Sequence, residues 1–84
     1  VAVPIVFHKE ISILCLKNGK AVLCEKPVAM NEQEAKDVVK VAKDNKVFFM
    51  EAMWTRFLPI YKQVNSWINE GLIGEVRMFQ ADFG

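Results

Sequence analysis

Histidine, cysteine, proline and glycine are all scarce here: one, two, three and four in 84 residues. A single histidine excludes a histidine-based metal centre. Cys15 and Cys24 form no C-x-x-C pair that would replace it. Both cysteines lie inside apolar runs and read as buried, reduced thiols of a cytoplasmic protein rather than as a disulfide. No charge sign dominates: eleven Lys and Arg face ten Asp and Glu, for a formal net charge of +1. That balance removes the electrostatic case for nucleic acid or an anionic membrane as partner. No apolar run approaches the roughly 20 residues of a membrane-spanning helix. The longest, Val1 to Phe7, is interrupted by Pro4. The chain opens without Met and without the basic, apolar and small-residue order of a signal peptide, so it reads as an interior segment of a longer protein. Repeats and low-complexity tracts are absent.

What is present is a foldable mixture, 52% hydrophobic and 25% charged, which argues against disorder. The length allows one small domain or part of a larger one, and roughly 60% of the unfolded surface is buried at this size. Hydrophobicity changes period repeatedly. Val1 to Val6 reads as the end of a buried strand entering a loop at Pro4. His8 to Asn18 places Ile11, Leu14 and Cys15 on one helical face, with Gly19 at the left-handed position beyond its end. Ala21 to Cys24 is short and wholly apolar, as in a strand covered on both faces. Asn31 caps a second helix, Glu34 follows at capping-box spacing, and Ala35, Val38, Val39 and Ala42 form its stripe. Its charges, with Glu32–Lys36 and Lys40–Asp44 one turn apart, make a solvated face. Val47 to Met50 reads as another strand. Pro59 opens a third helix with Ile60, Val64, Trp67 and Ile68 inward, and Gly71 ends it. From Glu75 to Phe83 the residues alternate, as in a strand with one face solvated.

The order β-α-β-α-β-α-β predicts parallel strands joined by right-handed crossovers, an α/β sheet with helices on both faces. The last strand differs in character, which places a domain boundary near Gly71 to Gly74. The expected fold is the C-terminal half of a doubly wound Rossmann sheet plus the first strand of a following α+β domain. In domain terms, residues 1–72 are a partial dinucleotide-binding domain without its Gly-rich half, and residues 73–84 begin the next sheet.

Ligands of open parallel sheets bind beyond the carboxyl ends of the strands. That rule selects Pro4 to His8, Glu25 to Met30 and Glu51 to Arg56. In the second loop, Glu25-Lys26-Pro27 follows a buried strand directly. Pro27 disfavours the helical region for Lys26 and holds it extended, so the ammonium is aimed instead of sweeping solvent. A lysine so placed hydrogen-bonds a substrate oxygen while hydride moves. The tripeptide alone fits a solvated surface pair better than a site.

Three segments in order shift that weighting: Gly19-Lys-Ala-Val-Leu-Cys-Glu-Lys-Pro27 followed by Asn31, Glu51-Ala-Met-Trp-Thr-Arg-Phe-Leu-Pro59, and Gly71-Leu-Ile-Gly-Glu-Val-Arg77 through Asp82-Phe-Gly84. Together they resemble the glucose–fructose oxidoreductase / inositol dehydrogenase / MocA (Gfo/Idh/MocA) family of nicotinamide-dependent oxidoreductases. The likeness runs over nearly the whole chain but a minor part of a full-length member. It implies hydride transfer between NADP, with NAD as the alternative, and a trans-dihydrodiol or aldose-type alcohol. It implies that Lys26 is the catalytic lysine and also borders the cofactor, that Glu25 contacts the nicotinamide-side ribose, and that Pro27 follows a cis peptide bond. His8, Pro27, Trp54 and Arg56 are implied to border the cofactor, with Trp54 and Phe83 walling the substrate. Taken singly, Trp54 and Phe83 fit ordinary packing and His8 fits a helix start. The resemblance further implies a homodimer, with Arg77 on the pairing sheet.

The Gly-rich phosphate fingerprint and the residue that distinguishes NAD from NADP are absent, and Ile5-Val-Phe7 is more apolar than the family's first cofactor loop. Two other readings stand beside the leading one. One is a non-catalytic remnant or pairing module. The other is a dehydrogenase of inositol or another sugar.

Overall fold

Asn31 sets the start of the longest helix. In the computed structural model, which describes residues 1–82, its backbone is extended and its Oδ1 accepts the Glu34 amide at 3.0 Å. The Glu34 carboxylate accepts the Met30 amide at 3.1 Å, one residue earlier than a reciprocal capping box requires. Three helices result: α1 (His8–Lys17), α2 (Glu32–Asn45) and α3 (Pro59–Asn69). The strands are β1 (Val22–Cys24) and β2 (Phe49–Glu51), and 3-10 turns cover Ile5–Phe7 and Trp54–Phe57. Replacing Asn31 with Ala leaves first-turn donors of α2 without their acceptor. A loss of about 1 kcal/mol is expected in denaturant unfolding.

Gly19 ends α1 at φ +69°, with the Lys20 amide on the Cys15 carbonyl and its own amide on Leu16, both at 3.0 Å. This is the paired C-terminal pattern that a left-handed residue permits. The same pattern closes α2, but there Lys46 holds the left-handed position at φ +55°.

Two units divide after Met53. In the first, β1 and β2 pair in parallel with Val22 opposite Phe49, Leu23 opposite Met50 and Cys24 opposite Glu51. The other edge of β1 is occupied by Val1, whose amino group donates to the Leu23 carbonyl and whose carbonyl accepts the Glu25 amide. The expected first strand is thus a single ladder residue. Pro4 then starts a turn closed by the Phe7 amide on its carbonyl at 2.9 Å, where the sequence places the loop.

Leu16 of α1 and Val38 and Ala42 of α2 meet Val22 and Cys24 in the core. Val22 and Cys24 lie two apart and share a face, so both helices cover one side of the sheet. On the other side Leu23 is 57% and Phe48 65% exposed. Within the first unit α1 and α2 thus lie on one face of the sheet. On α1 Ser12 is also buried, and among the described residues its hydroxyl has no hydrogen-bond partner.

An ion pair ties α1 to α2: Lys9 Nζ lies 2.7 Å from Asp37 Oδ2. The hydrogen bond from Lys9, then that from Gln33, holds the Asp37 carboxyl below the usual carboxylate range. The same bond to Asp37 raises Lys9. A carboxyl lowered in the folded state stabilises above its unfolded value and loses that contribution as pH falls through the folded one. Asp37→Asn therefore flattens the fall of Tm below the ordinary carboxylate range, as read from melting curves over pH. For Lys9 the contribution is present below the ordinary lysine value and lost as pH rises through the raised one.

In the second unit Pro59 occupies the first turn of α3, as expected, and Gly71 follows its end at φ +74° with the Leu72 amide on the Trp67 carbonyl. Ile60, Val64, Trp67 and Ile68 are all exposed. The alternating segment after Gly74 is not a strand through Asp82. A lone strand has no stability without a paired edge, and the sheet of the described residues contains only β1 and β2. Among the described residues, no helix is long and apolar enough to cross a membrane, and no acid, His and Cys cluster is suited to a metal.

Candidate active site

Parallel pairing puts the carboxyl ends of β1 and β2 at one edge, where residues 25–30 leave β1 for α2. The Ala52 amide closes that edge on the Cys24 carbonyl at 2.7 Å. Glu25 and Lys26 emerge there, both exposed. The Lys26 amide leans on Glu25 Oε2 at 3.3 Å, and among the described residues the Lys26 ammonium has no ion-pair partner. The Lys26–Pro27 peptide is cis, as the resemblance implies.

The next residues are held firmly. His8, only 2% exposed, places Nδ1 2.8 Å from the Pro27 carbonyl and Nε2 2.8 Å from the Val3 carbonyl. Both oxygens accept only, so a neutral ring donates one of these bonds and an imidazolium both. The Val28 amide donates to Glu51 Oε1 at 2.8 Å, and Cys24 Sγ approaches the Val28 carbonyl at 4.0 Å. Ala29 is buried beyond them.

The structure thus joins His8 to the Glu25-Lys26-Pro27 loop by backbone hydrogen bonding, with the ring buried. Trp54 and Arg56 fall in the second unit, on the 3-10 turn, where both are exposed and Trp54 keeps 54% of its surface. Phe83 lies outside the described residues. Arg77 pairs with Glu75 at 2.7 Å on the surface. Sequence reasoning gave Glu51 no role. Its signal was a carboxylate closing the apolar run Val47 to Met50, at the strand end nearest Cys24 in parallel register.

Residues 1–53 match the Gfo/Idh/MocA oxidoreductase family, described as having an NAD-binding Rossmann fold. The chain belongs to this family. Among the curated members, trans-1,2-dihydrobenzene-1,2-diol dehydrogenase of Xenopus laevis is 42% identical over 77 residues, covering 92% of this chain and 23% of that protein. Among solved members, the K102E mutant of KijD10, a 3-ketoreductase from Actinomadura kijaniata in complex with TDP-benzene and NADP, superposes with a TM-score of 0.81. It is 34% identical over 92% of this chain and 24% of its own. Myo-inositol 2-dehydrogenase from Lactobacillus plantarum gives a TM-score of 0.83 at 28% identity, over 89% of this chain and 22% of its own. The chain spans less than a quarter of each of these relatives.

Proposed function

We propose that this chain forms the strand-edge part of an NADP-dependent dehydrogenase acting on a trans-dihydrodiol or an aldose-type alcohol. The observation that carries the reading is the Lys26 ammonium, exposed and without an ion-pair partner among the described residues, on a loop anchored at the carboxyl ends of two parallel strands. The adjoining Glu25 carboxylate is exposed and suits a ribose hydroxyl, so these residues fit the nicotinamide end of the cofactor. The phosphate end needs the Gly-rich turn that this chain does not carry.

When bound, the nicotinamide supplies the hydride acceptor or donor. Lys26 donates a hydrogen bond from Nζ to the reacting oxygen and stabilises the charge that builds there. Glu25 would accept a hydrogen bond from the nicotinamide-side ribose. His8 contributes to cofactor binding through the loop it anchors, Pro27 by limiting the backbone at Lys26. Trp54 supplies an apolar wall for cofactor and substrate, with Arg56 beside it in sequence, and Phe83 adds to the substrate wall.

In domain terms, residues 1–72 complete the dinucleotide-binding sheet and 73–84 enter the following one, with Arg77 in a homodimer sheet. The exposed Leu23 and Phe48 are then covered by the remainder of the protein. Free Cys15 and Cys24 suit the cytoplasm. The myo-inositol 2-dehydrogenase likeness favours a cyclitol or sugar as the second candidate substrate. Initial rates of the whole protein with benzene dihydrodiol, D-xylose and myo-inositol, each with NADP and NAD, separate these readings. The leading one expects the diol or the aldose with NADP to give the highest kcat/KM. A preference for inositol with NAD overturns it, and no turnover with any pair leaves the non-catalytic remnant.

A further inference from the structure

We infer that Glu51 is a positioning residue for Lys26, acting with His8 as a two-sided clamp on the Pro27–Val28 peptide; this rests on the dehydrogenase reading above. The carbonyl and amide of one trans peptide point in opposite directions. Here Nδ1 of His8, on α1, lies 2.8 Å from the Pro27 carbonyl and holds it in the ring form that carries the proton on Nδ1, and the Glu51 carboxylate of β2 accepts the Val28 amide at 2.8 Å. Rotation of that peptide plane breaks a bond at either end. The two grips come from different elements, so the plane is fixed to α1 and to β2 together.

The consequence reaches Lys26 through a single residue. The proline ring fixes φ at Pro27, and the clamped plane fixes its ψ. The residue before proline is itself confined to extended backbone. On the other side the Glu25 amide is tied to the Val1 carbonyl at 2.9 Å. The Lys26 Cα is therefore held from both directions although its side chain is exposed. An acceptor at position 51 is what the arrangement demands; a negative charge is not, because an amide oxygen accepts the same bond.

The test is a set of variants of the whole protein that carries this segment, assayed in parallel with Lys26→Met. Glu51→Met keeps the volume and removes the acceptor. It is expected to lower kcat by about a hundredfold, the scale of a misplaced catalytic group, with the cofactor KM within about threefold of the parent. Glu51→Gln is expected to restore kcat to within about threefold. If Glu51→Met fails to fold, Glu51→Asp withdraws the oxygen by one methylene and is expected to lose kcat likewise. Two readouts do not depend on turnover: hydrogen exchange at the Val28 amide, and the acylation rate of Lys26 by an amine reagent measured by mass spectrometry. Both are expected to change in Glu51→Met and to return in Glu51→Gln. Parent-like kcat, exchange and acylation in Glu51→Met overturn the clamp, while a collapse in Lys26→Met leaves the dehydrogenase reading standing. Parent-like turnover in Lys26→Met removes that reading, and exchange and acylation then still decide whether Glu51 positions the lysine.

Discussion

Replacing Lys26 with methionine in the whole protein is expected to lower kcat by about 10²–10⁴-fold, the range for loss of a group that acts on the reacting oxygen. Methionine keeps the length and most of the stem but removes every donor. The side chain is exposed, so its loss opens no cavity and the melting temperature is expected to stay near that of the parent. Cofactor affinity, read by fluorescence titration with NADPH, is expected to change far less than turnover. That split separates a transition-state contact from a binding contact. Lys26→Arg keeps a charge but replaces a compact ammonium with a planar fork, and is expected to recover only part of the loss. Parent-like kcat in Lys26→Met would remove the lysine from the chemistry.

The second large effect is on stability. His8→Ala empties a fully enclosed site and removes the ring nitrogens that lie 2.8 Å from the Pro27 and Val3 carbonyls. Cavity formation and the lost ring hydrogen bonding together are expected to cost about 2–4 kcal/mol in denaturant unfolding. Gln in place of His8 donates one such bond and is expected to recover part of that loss. The loss should be accompanied by weaker cofactor binding, since the anchored loop carries Glu25 and Lys26. A destabilised His8→Ala protein with unchanged affinity for NADPH would confine the histidine to packing.

Local chemistry made much of this fold legible. Asn31, three residues before Glu34, marks a helix start because a short polar side chain must satisfy first-turn amides, and it does so here at 3.0 Å. Gly19 marks a helix end because a left-handed residue costs it little. The short apolar runs at Val22 and Phe49 mark two strands, and these pair in parallel. The placement of the ligand edge followed, since parallel strands share the end at which Lys26 emerges.

What escaped depends on partners that a linear reading does not supply. The segment from Glu75 onward has a strand's alternation, but alternation shows which face would be buried and not whether an edge exists to pair with. That α1 and α2 pack on the same side of the sheet, leaving Leu23 and Phe48 exposed on the other, needed the packed core. Lys46 in a left-handed conformation gives no sequence sign, because lysine has no preference for that region. The role of Glu51 needed the parallel register, which sets it opposite Cys24 and within reach of Val28. The burial of His8 needed the Pro27 and Val3 carbonyls, which lie on different loops.

The most direct measurement is a crystal structure of the whole protein with NADP and an unreactive analogue of its alcohol substrate. Lys26 Nζ is expected at hydrogen-bond distance, roughly 2.6–3.2 Å, from the analogue's oxygen, with Glu25 on the adjoining ribose. A lysine turned to solvent, with another group bonded to that oxygen, would contradict that placement.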